Sequence, residues 1–170
     1  MNIRWFGAAL ILSGCGGVGV RMASEIRQQE KLLAQIIHIV HLLESELQYR
    51  LSSLPELCRL ASKESSGILR ELFQKLSVRI SRQEYDDASI CMDIVLQEYP
   101  TLPRSVRKHL RYLGRNLGRF DLPGQLQGLQ TVRNACQTEL SNLRKNSEIR
   151  QKSYQTLAIC AGISLVILFA

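Results

Sequence analysis

Residues 104–120 read RSVRKHLRYLGRNLGRF, and the order of apolar and basic residues within them decides the class of fold. Val106, Leu110, Leu113, Leu117 and Phe120 recur at steps of four, three, four and three, which gathers them on one side of an α-helix. Six basic residues, Arg104, Arg107, Lys108, Arg111, Arg115 and Arg119, fall between the leucines, with no acid from Glu98 to Asp121. Most of them line the opposite face. Gly114 and Gly118 lie four apart in the same stretch, and each costs about 1 kcal/mol relative to alanine inside a helix. Two such glycines in a strongly amphipathic segment predict close packing against another helix.

The same period runs through the rest of the middle of the chain. Arg21–Arg50 holds no proline or glycine, and Ile26, Leu33, Ile36, Val40, Leu43 and Leu47 form a seam of sevens and threes. A second helix starts at Ser53-Leu54-Pro55-Glu56, with Ser53 as a candidate cap, and ends near Ser65-Ser66-Gly67. A third carries Ile68, Leu69, Leu72, Phe73, Leu76 and Ile80. A fourth spans about 84–99 with Ala88, Cys91, Ile94 and Val95 inward, and stops at Pro100-Thr101-Leu102-Pro103. The amphipathic helix of 104–120 is the fifth. A sixth starts near Pro123 and passes through Leu126, Leu129, Val132, Cys136, Leu140 and Leu143. No stretch alternates with period two, so the fold is all-α, an antiparallel bundle of about six helices.

Both ends differ from this middle. Trp5–Val20 is sixteen residues without a charge, bracketed by Arg4 and Arg21, and Ser153–Ala170 is eighteen more after Arg150 and Lys152. At about 1.5 Å per residue they approach the roughly 30 Å of a hydrocarbon core, and flanking arginines can snorkel to the interface. They read as transmembrane helices, at 1–22 and 153–170. The excess of lysine and arginine on the inner flanks (Arg21, Arg27, Lys31; Arg144, Lys145, Arg150, Lys152) places residues 23–152 in the cytoplasm. Gly17 in the first and Gly162 in the second, each four residues from another small residue, predict close helix packing within the membrane. An alternative reading takes Leu12-Ser13-Gly14-Cys15 as a lipoprotein box, with Cys15 lipidated and an exported helical sensor or chaperone domain behind it. Mass spectrometry of the N-terminus separates the two.

Composition limits what else the chain can be. It has 170 residues, 45% of them hydrophobic and 22% charged, with four prolines, which suits one folded domain and excludes a disordered or collagen-like chain. The net charge of +7 is spread over both halves, so no basic tail accounts for it. Five cysteines, an odd number without a CxxC pair, argue against a disulfide framework or zinc site and fit a reducing compartment.

The residues that carry chemistry elsewhere form no convincing set here. His38, His41 and Glu44 share one side of the first helix, but a metal would need a further ligand, and His109 stands apart. They read as polar residues beside an apolar seam, and no metal or cofactor is expected. Glu44 and Glu46, or Asp86 and Asp87, point different ways on a helix, and no phosphate loop, GxSxG or HExxH accompanies them. An enzyme is not expected, nor a small-molecule substrate. The basic face of the fifth helix fits anionic lipid headgroups or an acidic protein surface. Nucleic acid is the least expected partner, because few aromatic residues accompany the cations and the chain reads as membrane-tied.

Two motifs then point to a family. Leu113-Gly114-Arg115-Asn116-Leu117-Gly118-Arg119-Phe120-Asp121 followed by Gln125 resembles the LGxxLGxxD…Q signature of stage III sporulation protein AB. Leu43-Glu44-Ser45-Glu46-Leu47-Gln48-Tyr49 with Leu54-Pro55-Glu56 is similar to that family's second conserved stretch, and the layout agrees over the whole chain. Phe120 stands where a small polar residue is usual, and Ser53 where proline is frequent. The resemblance implies a protein of the mother-cell membrane around the forespore, with a domain similar to the cytoplasmic domains of type II secretion and type IV pilus platform proteins. It implies a non-catalytic scaffold of a secretion channel between the two cells. Its partners would be other membrane subunits, lipid and a cytoplasmic ATPase. The partner contacts expected are the elbow residues Glu44, Glu46, Tyr49 and Glu56, and the basic face Arg104, Lys108, Arg111, Arg115 and Arg119.

Overall fold

The computed structural model describes the backbone of residues 3–50, 52–85, 87–118 and 121–169, and the side chains within 24–50, 52–85, 87–118 and 121–147. Every regular element described is a helix. In chain order these are α1 (Ile3–Tyr49), α2 (Leu54–Glu64), α3 (Gly67–Ser81), α4 (Ala88–Gln97), α5 (Arg104–Asn116) and α6 (Leu122–Phe169). The chain divides into two compact units, one of residues 31–139 and one of residues 1–30 with 140–170. Among the described residues no helix is long and apolar enough to cross a membrane. The apolar stretches 5–20 and 153–169, with Cys15, Gly17 and Gly162, have helical backbone but lie outside the residues whose side chains are described, and residue 170 lies outside the described residues altogether.

The 31–139 unit is built on the seam that the periodicity of α1 predicts. Leu33, Ile36, Val40, Leu43 and Leu47 are buried, joined by Leu32 and Ile39. Ile26, one heptad earlier, is half exposed. Leu57, Cys58 and Ala61 from α2, and Leu69, Leu72, Phe73 and Leu76 from α3, complete one side of the core. From α4, α5 and α6 come Cys91, Met92, Val95, Leu96, Val106, Leu110, Leu113, Leu129, Val132 and Cys136. Removing this much apolar surface from water is the main stabilising contribution. Helices α2 and α3 pair through the tight turn at Ser65-Ser66, α3 meets α4, and α4 packs on α5.

Two boundaries differ from those expected, each for a local reason. The fourth helix begins at Ala88 rather than near Glu84. Gln83 takes φ 51°, and the Glu84 amide bonds back to the Arg79 carbonyl at 3.3 Å, so this stretch closes α3. Asp87 then opens α4 by accepting from the Ser89 amide at 2.8 Å, a side-chain cap. Within α4 the buried residues are Cys91, Met92, Val95 and Leu96, whereas Ala88 and Ile94 are half exposed.

The fifth helix ends at Asn116, short of the 120 expected. Leu117 turns extended at φ −82° and ψ 123°, and Gly118 follows in the left-handed region at φ +78°. Leu117 is nonetheless buried, so the apolar pattern outlasts the helix that it suggests. Gly118 is therefore a turn glycine rather than a helical one. Ser53 occupies the cap position of α2 but makes no side-chain cap bond; Pro55 in the first turn already removes one of the free amides.

Candidate functional site

Two surfaces of the 31–139 unit hold the residues singled out above. The first is the elbow between α1 and α2. Its cleft, about 430 Å³, is lined by Glu46 and Arg50 from the end of α1, Ser52 from the connection, and Glu56, Arg59, Leu60 and Lys63 from α2. The carboxylate of Glu46 accepts from Ser52 Oγ at 3.3 Å and lies 3.6 Å from Arg50. Glu56 pairs with Arg59 at 3.3 Å, one turn along α2. Tyr49, which precedes Arg50 in the chain, is 80% exposed, the most exposed of the large apolar and aromatic side chains described. A phenol ring left in water at a helix end is the kind of anchor that protein interfaces use.

Glu44 does not belong to this surface. Its side chain is only 12% exposed and accepts from Arg133 Nη1 of α6 at 2.6 Å, and its other oxygen is buried without a partner. The expectation that Glu44 reaches outward is corrected: it faces inward and ties α1 to α6. Its cation comes 89 residues later in the chain, too far for the pattern of α1 to announce it.

The second surface is α5. Arg104, Lys108, Arg111 and Arg115 are all exposed, at steps of four, three and four, and so form one straight row. Arg119 lies outside the described residues. Arg111 is held by Asp93 of α4, with Nε 2.6 Å from Oδ1. Arg107 leaves the row altogether; it donates to the carbonyls of Tyr99 at 3.2 Å and Pro100 at 3.0 Å and so fixes the loop before α5.

The row rests on a tight joint. At Gly114 a β-carbon would stand 2.7 Å from Met92 Cβ, closer than packed atoms come, so α5 sits directly on α4 where that glycine allows it. Gly118 also has a near neighbour, Leu54 Cδ2 at 2.9 Å, but its conformation is the stronger requirement.

The motif residues thus serve the packing of helices as much as any surface. A family model described as stage III sporulation protein AB matches residues 4–170. The chain belongs to that family. A solved structure of a stage III sporulation protein AB has the same fold at TM-score 0.62 and 18% identity, over 69% of this chain and 94% of that one. No curated protein matches the chain. Membership of the stage III sporulation protein AB family gives it a role in sporulation.

Three features of this family member escaped sequence reasoning. Gly128 of α6 faces Asn116, whose oxygen would be 2.5 Å from a β-carbon placed there. His109, read as standing apart, lies 2.6 Å from Glu139 across α5 and α6. Lys75, Arg79, Glu84 and Glu98 join α3 to α4, with Lys75 Nζ 2.5 Å from Glu98 and over the Tyr99 ring. The Glu98 and Tyr99 side chains hold the Lys75 ammonium above the usual lysine range, and Lys75 in turn draws the Glu98 carboxyl below its own. Each brings together residues from different helices, and only the small residue or the opposite charge hints at it.

His38 lies 4.0 Å from Glu64, and among the described residues no three ligands converge on a metal position. Cys58, Cys91 and Cys136 are free thiols in the core. Burial pushes the thiols of Cys58 and Cys136 up to about 12.

Proposed function

We propose that the chain is a non-catalytic, membrane-anchored scaffold subunit of a sporulation-specific secretion channel between mother cell and forespore. The two apolar ends cross the mother-cell membrane, and the helical bundle stands in the cytoplasm. The observation that carries this reading is the continuity of α1 and α6. Each is a single helix that includes an uncharged end stretch and part of the buried core, Leu33–Leu47 in α1 and Leu129–Cys136 in α6. The elbow, with Tyr49, Glu46 and Glu56, is the docking surface assigned to a cytoplasmic ATPase.

The ionisable groups nearest the core support a scaffold rather than a catalyst. Glu44 is committed to Arg133 and His109 to Glu139, so both groups serve to tie helices together.

The test uses the full chain in sporulating cells. It is expected to stay with membranes through carbonate washing, and its middle to resist protease added to sealed cells. A chain lacking residues 1–20 and 153–170 is expected to fail to support spore formation. Release by carbonate, or full function of that truncated chain, overturns the reading.

A further inference from the structure

We propose that the side of the bundle formed by α5 and α4 is a docking surface for an acidic amphipathic helix of a partner protein. The starting point is which cations remain available. Of the five basic residues of α5, Arg107 is spent on loop carbonyls and Arg111 on Asp93. Arg104, Lys108 and Arg115 are exposed and make no ion pair among the described residues. Arg104 and Arg115 are eleven residues apart, about 16 Å along the helix, with Lys108 between them and all three within one narrow arc. That is the length and breadth of three turns of a single helix laid alongside.

The row is not purely cationic. Tyr112 is 44% exposed at its edge, and Ile90 is 45% exposed on α4, one turn from Asp93 on the same side. A partner that only supplied negative charge would leave both of these wet. An amphipathic helix with acids facing Arg104, Lys108 and Arg115 and apolar residues beside them would cover both. Gly114 holds α5 hard against α4, so the spacing between the cations and the apolar pair is set before any partner arrives.

Asp93 decides between a protein and a lipid surface. Its carboxylate, 40% exposed, sits within the row where it grips Arg111. A uniformly anionic bilayer would meet that carboxylate with repulsion wherever it landed. A helix can place a neutral or basic residue there and use the position to fix its register. The surface is patterned, and a patterned occupant fits it.

This inference concerns the bundle's side and not its anchorage, so it and the membrane reading fail on different measurements. The probe is a labelled helical peptide of about 18 residues, with glutamates spaced to meet Arg104, Lys108 and Arg115 and leucines beside them. A second peptide has the same composition with the glutamates distributed around the helix. Both are titrated by fluorescence anisotropy onto the full chain in neutral detergent micelles, and the micelles are doped with phosphatidylglycerol in a parallel series.

The patterned peptide is expected to bind at least about tenfold more tightly than its rearranged partner. Reversal of Arg104, Lys108 and Arg115 to glutamate should remove that preference. The same charge change made by Lys31→Glu, Arg70→Glu and Arg82→Glu should leave it. Glutamine at the three α5 positions gives a milder version, should the reversed chain lose its helical melt. Equal binding of the two peptides, or a preference unmoved by the α5 changes, overturns the proposal. So does a patterned peptide displaced from the row by the anionic lipid at low fractions, which would assign it to headgroups.

Discussion

Gly128 of α6 faces Asn116 at the end of α5 so closely that a β-carbon on the glycine would lie 2.5 Å from the asparagine oxygen and 2.7 Å from its β-carbon. Asn116 is buried and donates its side-chain amide to the Tyr112 carbonyl at 2.8 Å, so it cannot swing aside without leaving a polar group unpaired. Gly128→Ala is therefore expected to destabilise the chain by about 1–3 kcal/mol through overpacking. In an Asn116→Gly background the same alanine should be nearly neutral. Thermal unfolding of the single and double variants measures this; simple additivity of the two would show that the residues do not touch.

The two glycines of the LGxxLG stretch should answer differently to substitution. At Gly114 the space is taken by Met92 and the backbone is helical, so larger side chains are progressively worse and asparagine is worse than alanine. At Gly118 the φ of +78° is the obstacle, and asparagine, which tolerates that region, should be better than alanine and far better than valine. Arg115→Ala between them should change stability by less than about 0.5 kcal/mol. A rank order shared by both sites would contradict this division.

Arg133→Met is expected to strip Glu44 of its cation and leave a largely buried carboxylate, at a loss of about 1–3 kcal/mol after allowing for its partial exposure. Glu44→Met in the same chain should recover most of that loss. A double-mutant cycle from denaturant melts reads the coupling, and a value near zero would mean that the pair is ornamental.

Cys58 and Cys136 give the chain an alkaline limit. Burial raises each thiol from an ordinary value of 9.0 to about 12, so the unfolded chain loses these protons first as pH climbs. Their contribution is complete below pH 9 and is lost between about pH 9 and 12, with a slope of up to about 1.4 kcal/mol per pH unit for each thiol. Melting curves taken from pH 7 to 11 should show this fall, and Cys58→Ala with Cys136→Ala should flatten it while lowering the plateau. At pH 8 iodoacetamide should modify both slowly, as read by peptide mass spectrometry. Rapid labelling would show that they are open to solvent.

Much of the fold was legible because its signals are local. The seam of α1 buries at Leu33, Ile36, Val40, Leu43 and Leu47, as the period of the chain dictates, and Pro123 sits in the first turn of α6. Errors arose where the same local signal serves two structures. Leu117 keeps the helical spacing and is buried, yet its backbone is extended, because the turn to Gly118 can still point it inward. Asp87 looked like half of an acid pair and is a helix cap. Glu44 and His109 were misplaced for a different reason: their partners, Arg133 and Glu139, come from α6, and a helix pattern cannot say which distant charge will arrive. The candidate surfaces fared accordingly. The exposed row of α5 followed from spacing, whereas the parts played by Arg107, Arg111 and Asp93 needed coordinates.

Gln35 of α1 holds the start of α3 from both sides, donating to Ser66 Oγ at 2.9 Å and accepting from the Ser66 amide at 3.3 Å. Ser66 supplies no cap of its own. The first turn of α3 thus borrows its closure from a helix that leaves the ribosome some thirty residues earlier. A chain synthesised in native order meets that amide group already in place, while a circular permutant opening at residue 52 would have to make α3 with a frayed beginning and mend it last. The order of the helices in the gene is, in this small respect, also the order in which they can be finished.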